Sequence, residues 1–67
     1  MITVNGQLRD LPNGVVVADV VAELLPGDTG RGVAVAVNGE VVPRAAWATA
    51  RLADGDRVEV LTAAQGG

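Results

Sequence analysis

The chain has 67 residues, a formal net charge of −3 and a 49% hydrophobic composition, which bounds it to one small domain. It contains no Cys, His, Ser, Lys or Tyr. This removes disulfide staples, the usual zinc ligands and most side chains used in covalent or acid–base catalysis. The five arginines, Arg9, Arg31, Arg44, Arg51 and Arg57, are scattered and form no basic stripe of the kind that grips nucleic acid. No apolar run approaches the length that crosses a bilayer.

Met1 to Val4 alternates, with Ile2 and Val4 on one face and Thr3 on the other. Asn5-Gly6 follows, the preferred pair for a two-residue hairpin turn because both positions need positive φ. Gln7 to Leu11 is then the returning strand. A strict two-residue loop sets Leu8 opposite Thr3, away from the Ile2/Val4 face, so the register is bulged or Leu8 packs at an edge. Pro12-Asn13-Gly14 reads as a turn.

Val17, Val20, Val21, Leu24 and Leu25 recur at helical spacing, which predicts one helix over Val17 to Leu25. Asp19 complements its dipole, and Pro26-Gly27 stops it. Its start carries no Ser, Thr, Asp or Asn cap and is weakly specified. Asp28 to Gly32 is a polar loop. The unbroken run Val33-Ala34-Val35-Ala36-Val37 is short and valine-rich, which favours a strand. Asn38-Gly39 is a second hairpin signal, with Glu40 to Val42 returning.

Pro43 suits the first position of a short helical segment over Arg44 to Ala50, in which Trp47, the single aromatic, turns inward as an anchor. Arg44 is read as solvated. Asp54-Gly55-Asp56 is a turn. In Arg57 to Thr62, Val58, Val60 and Thr62 take one face and Glu59 and Leu61 the other. Leu61 then stands on the open sheet face beside alanine-rich strands, where an exposed apolar spot suits partner docking. The order β-β-α-β-β-β, with one oily helix stripe, predicts a two-layer α+β domain. The expected form is a β-grasp, or ubiquitin-like, mixed sheet of four to five strands with one main helix on one face. The expected organisation is a domain over residues 1–62 and a flexible tail over 63–67.

That tail, Ala63-Ala64-Gln65-Gly66-Gly67, is the one place where chemistry is expected. Two glycines pass through narrow channels at almost any φ and ψ, so the end can thread into a partner's active site and present its carboxylate there. With no catalytic inventory of its own, the chain is read as a substrate, carrier or binder rather than an enzyme.

Val37-Asn38-Gly39-Glu40-Val41-Val42-Pro43-Arg44, then Trp47, then Asp54-Gly55-Asp56-Arg57-Val58-Glu59-Val60, then Gly66-Gly67, resembles the ThiS-type sulfur carriers of thiamine biosynthesis over the whole length. The Asp-Gly-Asp turn, apolar strand and Gly-Gly end are shared with MoaD-type carriers of molybdopterin synthesis. The resemblance implies that a ThiF-type enzyme adenylates the Gly67 carboxylate, that sulfur replaces the adenylate to give a thiocarboxylate, and that a ThiG-type thiazole synthase receives the sulfur. Ala64, Gln65 and Gly66 would thread into the partner, and Leu61 would help dock. No cofactor is expected on this chain; ATP and magnesium are used by the partner. Neither nucleic acid nor membrane is expected as a partner. A strand pattern beginning at Met1, with no leader ahead of it, gives a cytoplasmic location as the expectation. Two alternatives stay open, a carrier of another route (molybdopterin or cysteine) and a ubiquitin-like conjugating modifier.

Overall fold

The computed structural model describes residues 1–27 and 31–62. The elements run β1 (Ile2–Val4), β2 (Gln7–Arg9), α1 (Val17–Leu24), β3 (Val33–Val37), β4 (Glu40–Val42), a short 3-10 turn (Arg44–Ala46) and β5 (Arg57–Thr62). They form one five-stranded sheet in the order β2-β1-β5-β3-β4. β1 runs antiparallel to β2 and parallel to β5, while β3 runs antiparallel to both β5 and β4. The last strand in the sequence is thus the central strand of the sheet. With α1 on one face, this is the expected β-grasp layout.

The two hairpin Asn-Gly pairs turn as expected. Asn5 and Asn38 lie at φ 50° and 51°, and each is followed by a positive-φ glycine. The first hairpin is regular, with Thr3 opposite Leu8, so no bulge rescues Leu8. It remains 70% exposed on the outer face of an edge strand. β2 is shorter than expected, ending at Arg9 rather than Leu11. Leu11 instead leaves the sheet to pack against the core from the loop. The predicted loop at 28–32 lies partly outside the described residues.

The core lies between helix and sheet. Ile2 and Val4 from β1, Val35 from β3 and Val58 and Val60 from β5 meet Val17, Val20 and Val21 from α1, and Trp47 and Leu52 close one end. Valine dominates because its branched side chain suits the pleated surface. Trp47 is buried, and its indole Nε1–H donates to the Val42 carbonyl at 3.0 Å. The ring therefore joins the end of β4 to the core while its one polar atom is satisfied.

The weakly specified start of α1 is secured from across the chain. The Val17 N–H donates to the Ala50 carbonyl and the Ala18 N–H to the Trp47 carbonyl, each at 3.0 Å. Two donors that a helix start leaves unpaired are thereby satisfied without a capping side chain. Val16 at the N-cap offers no acceptor, but its own N–H donates to the Asp19 carboxylate at 3.3 Å. Leu52 N–H to the Val15 carbonyl, at 2.8 Å, extends the same seam.

Truncating Trp47 removes the largest core side chain together with this seam's packing. Trp47→Ala is expected to destabilise by about 3–5 kcal/mol, comparable to the whole net stability of roughly 3–5 kcal/mol for a core of this size. Far-UV circular dichroism in urea should show Trp47→Ala largely unfolded in buffer and Trp47→Phe folded with a lowered midpoint.

Candidate functional site

The described part of the candidate site is the surface around β5, the strand that leads toward the C-terminus. Val58 and Val60 are buried against α1, and the intervening Glu59 and Leu61 face away from it. Leu61 is 66% exposed. It pairs across the sheet with Ala34, while Ala36 lies between Glu59 and Val41 in register. Val41 is 76% exposed. The two alanines on β3 lie between Leu61 and Val41, which are separate exposed apolar side chains on the open face, with Glu59 in register with Val41 across Ala36. Alternation places Leu61 here from sequence. Val41 was not anticipated, although the Asn38-Gly39 turn contained the signal: a two-residue loop pairs Val41 with Ala36 and so sends it to the open face.

β5 is gripped at both sides by asparagine side chains. The Val60 N–H donates to Asn5 Oδ1 at 2.8 Å, and Asn5 Nδ2 donates to the Val60 carbonyl at 3.2 Å. A side-chain amide therefore stands where a further residue of β1 would have paired, extending the parallel ladder past the end of its strand. The backbone N–H of Asn5 adds a bond to the Val58 carbonyl at 2.9 Å. On the other flank, the Arg57 N–H donates to Asn38 Oδ1 at 2.9 Å. The backbone N–H of Asn38 donates to the Arg57 carbonyl at 2.7 Å. These contacts span 55 and 19 positions, and no local pattern reveals them.

Asp56, just ahead of β5, completes the grip. Its carboxylate accepts the Ala53 N–H at 2.8 Å and Asn38 Nδ2 at 3.0 Å. These bonds, the backbone one foremost, hold its pKa below the ordinary carboxylate value. Two hydrogen bonds to the charged form outweigh the little burial that opposes them. The neighbouring Asp54 pairs with the N-terminal ammonium of Met1, and the Gly55 N–H donates to the Met1 carbonyl at 2.8 Å. The start of β5 and the start of β1 are thus tied together.

Among the described residues no group of three or more His, Cys, Asp or Glu is placed to hold a metal. No described helix is long and apolar enough to cross a membrane. The surface hollows are open. One follows β4 from Val37 to Pro43, and another lies beside Ile2, Leu11 and Asp54. Of the positions expected to act, Leu61 is described; Ala64, Gln65, Gly66 and Gly67 lie outside the described residues.

The ThiS family model matches residues 2–67. The crystal structure of the thiamine biosynthesis protein (ThiS) from Geobacter metallireducens is 34% identical, with 98% of this chain and 97% of that one covered and a TM-score of 0.75. The solution structure of a thiamine biosynthesis protein from Geobacter metallireducens is likewise 34% identical, covering 98% of this chain and 86% of that one at a TM-score of 0.78. No curated protein matches the chain.

Asn5→Gly keeps the left-handed turn but leaves both backbone groups of Val60 without their partners. It should cost about 1–3 kcal/mol, read as a lowered urea midpoint. Asp56 gives a pH signature. Because its folded pKa lies below the unfolded one, its contribution is complete above the unfolded value. It is lost as pH falls below the unfolded carboxylate value and on through the lower folded one. Asp56→Asn should flatten that part of the stability profile, measured by thermal melts across that range; an unaltered acid slope would show that Asp56 does not contribute to it.

Proposed function

The chain belongs to the ThiS family, and from that premise we propose that it is a sulfur carrier of thiamine thiazole biosynthesis, loaded at the carboxylate of Gly67. The supporting observation is that the family likeness runs to residue 67, so it takes in Gly66-Gly67, in a chain without Cys, His, Ser, Lys or Tyr. A protein so equipped contributes an acyl group and a folded handle; its partners contribute the chemistry.

The proposed sequence of steps is short. An α-carboxyl group in water is ionised at neutral pH, and here it is the carboxylate that reacts. It attacks the α-phosphorus of ATP in a ThiF-type enzyme and releases pyrophosphate, leaving an acyl-adenylate. A sulfur nucleophile then adds to the acyl carbon and expels AMP, giving the thiocarboxylate. A ThiG-type synthase takes the sulfur into the thiazole ring. ATP, magnesium, oxyanion stabilisation and the sulfur source belong to the partners. In this reading residues 1–62 are the folded body, 63–67 are a flexible tail, and Ala64, Gln65 and Gly66 thread through the partner's channel. Leu61, one residue before β5 ends, and Val41 on the same open face dock the body. Binding energy gathered there, away from the reacting carbon, holds the acyl group in place. The reactions are assigned to the cytoplasm.

Intact mass before and after incubation with the activating enzyme, ATP and a sulfur source tests the loading. The expected result is replacement of one oxygen by sulfur, abolished by deleting Gly67 while the melting curve is unchanged. An unmodified wild-type chain under conditions that load a known carrier would overturn the proposal. Leu61→Glu should raise the activating enzyme's KM for this chain about tenfold or more, the scale of a truncated contact worth more than about 1 kcal/mol. An unchanged KM would remove Leu61 from docking.

A further inference from the structure

The chain contains three Asn-Gly pairs, at 5–6, 13–14 and 38–39, and the fold treats them differently. We propose that Asn13 is a site of spontaneous modification, its side-chain amide converting to aspartate and isoaspartate by attack of the following peptide nitrogen, while Asn5 and Asn38 are shielded by their grip on β5.

The chemistry needs no enzyme. The Gly14 nitrogen, once its proton passes to solvent base, attacks Asn13 Cγ. The N–Cγ bond forms, the Cγ–Nδ2 bond breaks, and Nδ2 takes a proton from water and leaves as ammonia. Water then opens the resulting five-membered imide at either carbonyl, giving aspartate or isoaspartate, with no change of oxidation state. Glycine at the following position favours attack because it has no side chain to hinder approach.

Crowding at the glycine does not separate the three pairs, because a Cβ at Gly6, Gly14 or Gly39 would meet nothing within 4 Å. The asparagine side chains do separate them. Both amide atoms of Asn5 are bonded to the backbone of Val60, at 2.8 and 3.2 Å. Both amide atoms of Asn38 are bonded too, Oδ1 to the Arg57 N–H at 2.9 Å and Nδ2 to Asp56 at 3.0 Å. For either Cγ to meet the next nitrogen, both bonds must first break. Asn13 is exposed, in a turn closed by the Val15 N–H on the Pro12 carbonyl at 3.2 Å with Gly14 at φ 82°. Among the described residues its side chain makes no hydrogen bond, so its approach to Gly14 breaks none. The product places a new negative charge in the β2–α1 link, and the isoaspartate form also adds a methylene to the main chain there.

The test is incubation of the full folded chain in mildly alkaline buffer, followed by peptide mapping. Cleavage after Arg9, Arg31 and Arg44 puts each asparagine in its own peptide. Asn13 should convert at least about tenfold faster than Asn5 or Asn38, the scale set by two hydrogen bonds that must open first. In denaturant the three rates should converge. Asn13→Gln should stop the folded chain from accumulating the more acidic form. Equal rates in the folded chain would overturn the proposal, as would an Asn13 that stays intact in the folded chain yet converts in denaturant.

Discussion

The structure depends on β5 being received into the middle of a sheet that the rest of the chain has built. Arg57 to Thr62 is the last element in the sequence, yet it has β1 on one side and β3 on the other. Its pairing with β1 is parallel and short, Thr3 with Arg57 and Val4 with Val58. A two-position parallel ladder is a slight attachment, and parallel pairing is slightly weaker per residue than antiparallel. The Asn5 side chain extends it to Val60, just where β1 has already turned into the hairpin. On the other side, β3 supplies five paired positions, and Asn38 continues the grip to Arg57 after β3 ends. The same turn chemistry that reverses each hairpin thus also locks the strand between them.

Local patterns in the sequence carry the elements well and the joins poorly. Two Asn-Gly turns, the spacing of Val17, Val20 and Val21, and the alternation through Val58 and Val60 each report on a few neighbouring residues, and each appears in the structure. The register rule even places Leu8 opposite Thr3; what it leaves open is whether the chain bulges to bury that leucine. The regular ladder wins because leaving one leucine exposed at an edge is ordinary, whereas a bulge disrupts the ladder locally. The start of α1 is the opposite case. Its donors go to Trp47 and Ala50, more than twenty-five positions onward by the numbering, so reading only the residues around Val17 finds no cap. Likewise, nothing around Asn5 announces Val60. For the candidate site, Leu61 is legible because alternation is a local property. The role of Gly66-Gly67 rests on what glycine permits and on the family likeness, with those residues outside the described part.

The distribution of polar chemistry matches a carrier. Three polar side chains are spent on holding β5: Asn5 on Val60, Asn38 on Arg57, and Asp56 on Ala53 and Asn38. The apolar exception is the outward-facing Leu61 and Val41, with alanines on β3 between them. A leucine and a valine on a twisted sheet are a small area, so their value lies in position. Leu61 sits one residue before the central strand ends and Val41 lies level with its middle, so a partner that covers both takes hold of that strand.

Rigidity in that strand has a consequence for docking on it. A strand paired on both flanks is already ordered, so a partner that meets its open face has none of that backbone left to order. If β5 were an edge strand with a fraying end, more backbone would have to be ordered at each encounter, at about 1–2 kcal/mol per residue. Placing the last strand in the centre therefore removes that cost over Arg57 to Thr62. The two asparagines extend that order across β5, from Arg57 on one flank to Val60 on the other.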